Sequence, residues 1–122
     1  MKLLLVFLGG GLGSIARFLI GRLYSTWQPA FPFATLTSNF LSCVVFGVVI
    51  ALGTEKLHIS EPLKLLLITG FCGGFSTYSS FTFETVELFR GSQHGLAFAN
   101  IVINFLLSVG GLSLGTLVAK LF

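Results

Sequence analysis

Between Thr69 and Thr82 the chain reads Thr-Gly-Phe-Cys-Gly-Gly-Phe-Ser-Thr-Tyr-Ser-Ser-Phe-Thr. Glycines at 70, 73 and 74 run into serine or threonine at 76, 77, 79 and 80, in a stretch flanked by apolar residues. Glycine and small hydroxyl residues are poor helix material. A break in such a stretch frees backbone carbonyls and amides, which lipid cannot satisfy; they must face protein, water or an ion. Two further polar stripes have helical spacing: Thr35, Asn39 and Ser42, continued by Phe46, and Asn100, Asn104 and Ser108. Singly, such residues serve equally well as hydrogen-bonding glue between helices. Together with an interrupted helix they describe a polar track, built from amide and hydroxyl donors that carry no full charge. A plain kink with no ligand is the competing reading of the glycines.

The elements that must position these residues follow from composition. The chain of 122 residues is 54% hydrophobic and 9% charged, against roughly 25% charged for a soluble domain. The apolar residues fall in four blocks, Leu3 to Leu23, Phe33 to Leu52, Pro62 to Phe89 and Gly95 to Leu121, each at or above the ~20 residues that cross a bilayer core. The sequence therefore predicts one all-α membrane domain over 1–122, with four spans and both termini on one side. The third block would be about 42 Å long as an unbroken helix, too long for an upright span, which again places an interruption in its middle. Lys2 and the short apolar run after it resemble a signal peptide, but Gly9, Gly10, Gly11 and Arg17 follow without a cleavage pattern. A retained first span is expected. Tyr24 and Trp27 are candidate interfacial aromatics, and the segment from Gly53 to Glu61, with Glu55, Lys56 and His58, is the most polar loop.

Charge is nearly balanced across the expected membrane. Lys2, Lys56, Lys64 and Lys120 fall on one side, and Arg17, Arg22 and Arg90 on the other, a bias too small to fix orientation. A single orientation set by other signals and a dual topology both remain open. Small residues four apart let helices approach closely in lipid; Gly9, Gly13 and Gly21 share a face of the first span, and Gly111 and Gly115 repeat the spacing in the fourth. Four short helices enclose little volume, so an oligomer is expected. The net charge of +3 comes from scattered residues with no basic stripe, which excludes a nucleic-acid footprint. Cys43 and Cys72 read as small buried residues, and His58 and His94 as solvated loop residues without a nucleophile beside them. No catalytic residues are expected. Spans one, two and four hold no acid, and Glu84 and Glu87 sit late in span three. Cation pathways and proton-coupled exporters usually carry a membrane-embedded carboxylate, so an uncharged or anionic substrate is favoured. Tyr78 and Phe81, three apart, can add electropositive ring edges.

These residues resemble the Fluc (CrcB) family of fluoride channels over essentially the whole chain. The likeness rests on Gly9-Gly10-Gly11-Leu12-Gly13-Ser14-Ile15-Ala16-Arg17, on Thr35-Leu36 with Asn39, on the segment from Gly70 to Phe81, and on the spacing of Asn100, Asn104 and Ser108. The resemblance implies a passive channel of the cell inner (plasma) membrane that lets fluoride leave and so limits its toxicity. It implies an antiparallel dual-topology dimer with two pores, and a structural sodium ion at its centre held by the backbone carbonyls of Gly73 and Ser76. Asn39 would be the pore-lining donor, Tyr78 and Phe81 the aromatic edges, and Ser79, Ser80, Asn104 and Ser108 further pore lining. Arg17 would sit near an aqueous vestibule and Glu84 near the other pore end.

The chain departs from the family pattern at two positions. Ser76 stands where threonine is usual, which leaves the backbone carbonyl in place. Tyr78 stands where phenylalanine is usual and adds a hydroxyl and bulk. That is compatible with a tuned pore, a blocked pore, or a subunit of a heterodimer in place of a homodimer. A small dual-topology multidrug exporter, the competing class, requires an acid in span one, and none is present.

Overall fold

The computed structural model describes residues 1–53 and 59–121; the loop residues Glu55, Lys56 and His58 lie outside the described part. Helix α1 spans Lys2–Ser25. It ends in a turn where Gln28 takes a positive φ of 42°, and Pro29 and Pro32 keep the chain out of helix. Tyr24 fastens this corner. Its ring stacks on Phe33 at 6.3 Å and meets Trp27 edge-on at 6.1 Å, and its hydroxyl hydrogen-bonds the Thr37 hydroxyl at 3.1 Å. Helix α2 follows over Phe33–Ala51.

The next segment starts as α3, Glu61–Lys64, with Pro62 in its first turn, where a missing N–H costs nothing. It widens into a π-helical stretch over Leu65–Cys72 and closes as α4, Gly73–Phe75. Ser76 (ψ 159°) and Thr77 (φ −153°, ψ 113°) are extended. Helix α5 then runs over Tyr78–Arg90 and α6 over His94–Ala119, joined by a turn at Ser92 with φ 58°. Among the described residues there are no strands. Helices α1, α2 and α6 are each long and apolar enough to cross a membrane.

The glycine-rich motif behaves differently from the sequence expectation. Gly70, Gly73 and Gly74 stay helical, and only Ser76 and Thr77 leave the helix. Gly70 and Gly74 serve packing instead. A Cβ on Gly74 would run into the Gly10 carbonyl, and one on Gly13 into the Phe71 carbonyl. Segment 61–75 thus lies on α1 backbone to backbone, the approach that small residues permit. Gly21 does not join this face, since a Cβ there meets nothing within 4 Å; the segment it would need has already turned away at residue 76. The second close pair is α2 with α6, the most extensive helix contact, where Cβ atoms on Gly47 and Gly115 would strike the carbonyls of Leu112 and Val44.

The interior mixes polar with small and apolar residues, and the exterior is largely apolar. The largest fully buried side chains are Asn100 and Ser38, whereas Leu3, Phe7, Phe18 and Phe105 are exposed. That inversion suits a bilayer, where burial of apolar groups between helices gains little and hydrogen bonds hold helices together.

Replacing Gly13 by valine is expected to cost about 1–3 kcal/mol through overpacking, read as a lower thermal midpoint of the detergent-purified protein. Gly95→Ala, at an exposed helical site with nothing within 4 Å of the added carbon, should leave the midpoint unchanged or raise it slightly.

Candidate functional site

The site is built around the two extended residues. Thr77 caps α5, its Oγ1 accepting the Ser80 N–H at 3.1 Å, which satisfies one of the helix's orphan donors. The same hydroxyl bonds the Ser80 hydroxyl at 3.0 Å and the Ser79 hydroxyl at 3.3 Å. Ser79 and Ser80 are thereby tied into the cap and are not among the residues lining the adjacent cleft. The Thr77 backbone is completed from α2. Its N–H donates to Asn39 Oδ1 at 2.7 Å, and Asn39 Nδ2 donates to the Thr77 carbonyl at 3.4 Å. Asn39 Nδ2 also donates to Asn104 Oδ1 on α6 at 3.1 Å.

The polar stripe of α2 is therefore a zipper along segment 61–90. Thr35 Oγ1 donates to Glu84 Oε1 at 2.6 Å, Asn39 exchanges bonds with Thr77, and Ser42 Oγ donates to the Cys72 carbonyl at 3.1 Å. The α6 stripe divides. Asn104 and Ser108 line the cleft, but Asn100, at 0% exposure, brackets α5 to α6: its Nδ2 donates to Thr85 Oγ1 at 2.9 Å, and that hydroxyl donates to the Phe81 carbonyl at 2.7 Å. The bracket holds the turn that carries Phe81.

The cleft itself has a volume of about 440 Å³ and is lined by Asn39, Cys43, Ser76, Thr77, Tyr78, Phe81, Ile101, Asn104, Phe105 and Ser108. Tyr78 and Phe81 form one wall, rings 5.6 Å apart and tilted by 49°. Tyr78 is 81% exposed, so its outer face has no cover from the rest of the described chain. A second cleft, about 360 Å³, is lined by Ser42, Cys43, Phe46, Ile68, Thr69, Cys72, Gly73 and Ser76. Cys43 and Ser76 border both, and form the partition between them.

The Gly73 carbonyl beside that partition loses its helical donor. Thr77 N–H, the group that would continue the helix onto Gly73, goes to Asn39 instead. The Ser76 carbonyl receives Arg17 Nη1 at 3.4 Å. Carbonyl oxygens at a helix C-terminus carry partial negative charge, and hard cations take such oxygens. The donor set of Gly73 and Ser76 thus fits a sodium ion in chemical type. Among the described residues no trio of His, Cys, Asp or Glu is placed to hold a metal.

Arg17 lies at the break, and Glu84 lies beyond Phe81 along α5, beside a third cleft of about 370 Å³ lined by Pro29, Ala30, Pro32, Phe83, Glu84, Glu87 and Leu88. Glu84 Oε2 is buried without a partner among the described residues. His94 opens α6 with its ring 5.8 Å from Phe89. Cys43 and Cys72 are free thiols. Sequence reasoning did not single out Thr85, Ile101 or Phe105, and it read Cys43 as a small buried residue, whereas Cys43 is half-buried and borders both clefts. Cys43 carries chemistry but sits in an apolar run, and Ile101 and Phe105 have no chemical signal at all. Thr85 becomes visible only once α5 and α6 are paired.

Three helices long and apolar enough to cross a membrane, an apolar exterior and a cleft lined by buried donors define a multi-pass membrane protein. The pattern of the family described as CrcB-like protein, Camphor Resistance (CrcB), matches residues 4–116, and the chain belongs to that family. It is 41% identical over 104 residues to the fluoride-specific ion channel FluC of Enterobacter sp. (strain 638), covering 85% of this chain and 82% of that protein. It is 40% identical, over the same shares, to the proteins of that name from Salmonella arizonae and Salmonella newport.

Thr77→Val keeps the shape but removes the cap, and should lower stability by about 1 kcal/mol, measured by thermal unfolding in detergent.

Proposed function

We propose that the chain is a fluoride channel of the cell inner membrane, through which fluoride leaves passively and its toxicity is relieved. The observation that carries the reading is the identity of about 40% with proteins named fluoride-specific ion channel, over 85% of this chain. The site's chemistry supports it. The cleft offers amide and hydroxyl donors and aromatic edges, with no acid in its lining. Such groups replace part of a small anion's water shell without holding it as a fixed cation would. The channel carries out no bond chemistry and is not an enzyme.

The unit that conducts is an antiparallel pair of copies inserted in opposite directions. The uncovered Tyr78 and the nearly even charge distribution support a second copy on this face. In that arrangement the helix interrupted at Ser76 and Thr77 crosses the membrane with its break near the middle. Two-fold symmetry brings two sets of Gly73 and Ser76 carbonyls together, and these would hold one sodium ion whose role is to neutralise the converging carbonyl dipoles. Asn39, Tyr78, Phe81, Asn104 and Ser108 form the pore wall, with Ser79 and Ser80 holding its cap, and Arg17 and Glu84 lie toward its two ends.

Liposomes loaded with potassium fluoride and carrying only this purified chain should release fluoride to an electrode within seconds, while chloride stays inside. Folded protein that releases no fluoride would sink the homodimeric channel and favour a subunit that needs a different partner, consistent with Tyr78. For the cation, exchanging sodium for N-methylglucamine should lower the thermal midpoint of the dimer and shift it toward monomer on gel filtration. A dimer indifferent to the exchange would exclude a structural sodium ion.

A further inference from the structure

Three residues of α1, each four apart, meet three backbone carbonyls of the neighbouring segment, each five apart. A Cβ on Gly9 would strike the Leu66 carbonyl and one on Gly13 the Phe71 carbonyl. One turn further along, Arg17 Nη1 donates to the Ser76 carbonyl at 3.4 Å. The step of five from Leu66 to Phe71 lies in the π-helical stretch Leu65–Cys72, whose turns close at i+5 and not i+4. The widened helix thus keeps its carbonyls in register with α1, and Arg17 is the last rung of that ladder. Arg17 is half-buried, and among the described residues no carboxylate pairs with it. A guanidinium cannot shed its charge, so within a membrane span it must find acceptors. Its acceptor lies at the C-terminal end of segment 61–75, where carbonyls carry partial negative charge. That end has no basic residue of its own in its last turn. The balancing charge comes from α1.

We infer that Arg17 is a built-in cation of the break, a positioning residue that shares the Ser76 carbonyl with the sodium ion and limits how tightly that ion is held. This role rests on the sodium site proposed for Gly73 and Ser76, and regulates it. A carbonyl oxygen has two lone pairs, so Ser76 can accept from Arg17 and face a metal ion at once. Two positive charges on one oxygen repel, and strongly where little water screens them. Arg17 and sodium therefore answer the same partial charge at the end of segment 61–75, each weakening the other's hold. The Gly73 carbonyl stands outside this competition, since Arg17 donates to Ser76. Occupancy is then set by the balance between a fixed charge that is always present and a mobile one that follows sodium concentration.

The test reads the thermal midpoint of the detergent-purified protein against sodium concentration, with N-methylglucamine holding the ionic strength constant. Wild type, Arg17→Gln, Arg17→Met and Arg17→Lys are compared. Removing the charge should lower the half-saturating sodium concentration by roughly tenfold. It should also lower the sodium-free midpoint, so that sodium restores more stability to the neutral variants than to the wild type. Arg17→Lys keeps the charge, and its half-saturating concentration should stay within about threefold of the wild type. Gln and Met are neutral replacements of different shape, and either one that assembles decides the outcome. An unchanged half-saturating concentration would reduce Arg17 to a structural contact, and a higher one would make it a support of the sodium site; both overturn the inference. So would a Lys variant that behaves like the neutral ones, which would put the effect in the shape of the guanidinium and not in its charge. A wild type indifferent to sodium whose neutral variants respond to it would remove the resident ion while supporting the competition. Indifference in all four proteins overturns the sodium site and the role of Arg17 together, whereas a responsive wild type matched by its neutral variants removes only the latter.

Discussion

One side chain completing one residue's backbone is the interaction on which the rest depends. Where the chain leaves the helix at Ser76 and Thr77, the buried Thr77 loses the helical partners of its N–H and C=O. Asn39 supplies both. Without that exchange the interruption would leave two orphaned groups in an apolar surround, at a cost of several kcal/mol. With it, the chain can turn back into helix at Tyr78, aided by the Thr77 cap, and direct α5 against α6. The placement of the wall aromatics, the loss of the helical donor to the Gly73 carbonyl and the Asn39 to Asn104 hydrogen bond all follow from that repair.

The helices around the break are held by two unlike means. Segment 61–75 meets α1, and α2 meets α6, through glycines at positions where any side chain would collide with a carbonyl. The contacts of α5 with α2 and α6 run through side-chain hydrogen bonds instead: Thr35 to Glu84, Asn39 to Thr77 at the start of α5, and Asn100 to Thr85. The division has a physical sense. Glycine contacts set a fixed, side-chain-free distance where a rigid wall is enough, while directional bonds fix rotation where the angle of α5 decides which way its aromatics face.

Much of this was legible in the sequence, and the reasons differ by residue. The spans were visible because lipid demands long apolar runs, and a break in the third because glycines and hydroxyls cluster there. Its location within the cluster was not. The glycines looked like the breakers, yet they are helical, because backbone contact with α1 outweighs their poor propensity. The break falls two residues beyond Gly74, at Ser76, where the chain parts from α1. Gly21 misled for the same reason, since spacing shows a shared face but not how far the partner extends. Asn100 and Asn104 share one stripe in sequence and have separate duties in space, a distinction that needs the position of Thr85. The π-helical stretch at Leu65–Cys72 left no signature in residue type.

The pairing of helices also sets an order in time. The polar stripe of α2 finds its partners in segments made after it, Cys72, Thr77 and Glu84 on the interrupted stretch, and so do its glycine contacts, on α6. As the chain emerges from the ribosome, α2 enters the membrane with Thr35, Asn39 and Ser42 unmatched, and stays so until nearly the whole protein has been synthesised. The polar stripe that completes the finished structure is thus a liability of the nascent one, and a chain stalled after α2 lacks every partner of that stripe while keeping the Tyr24 contacts to Thr37 and Phe33.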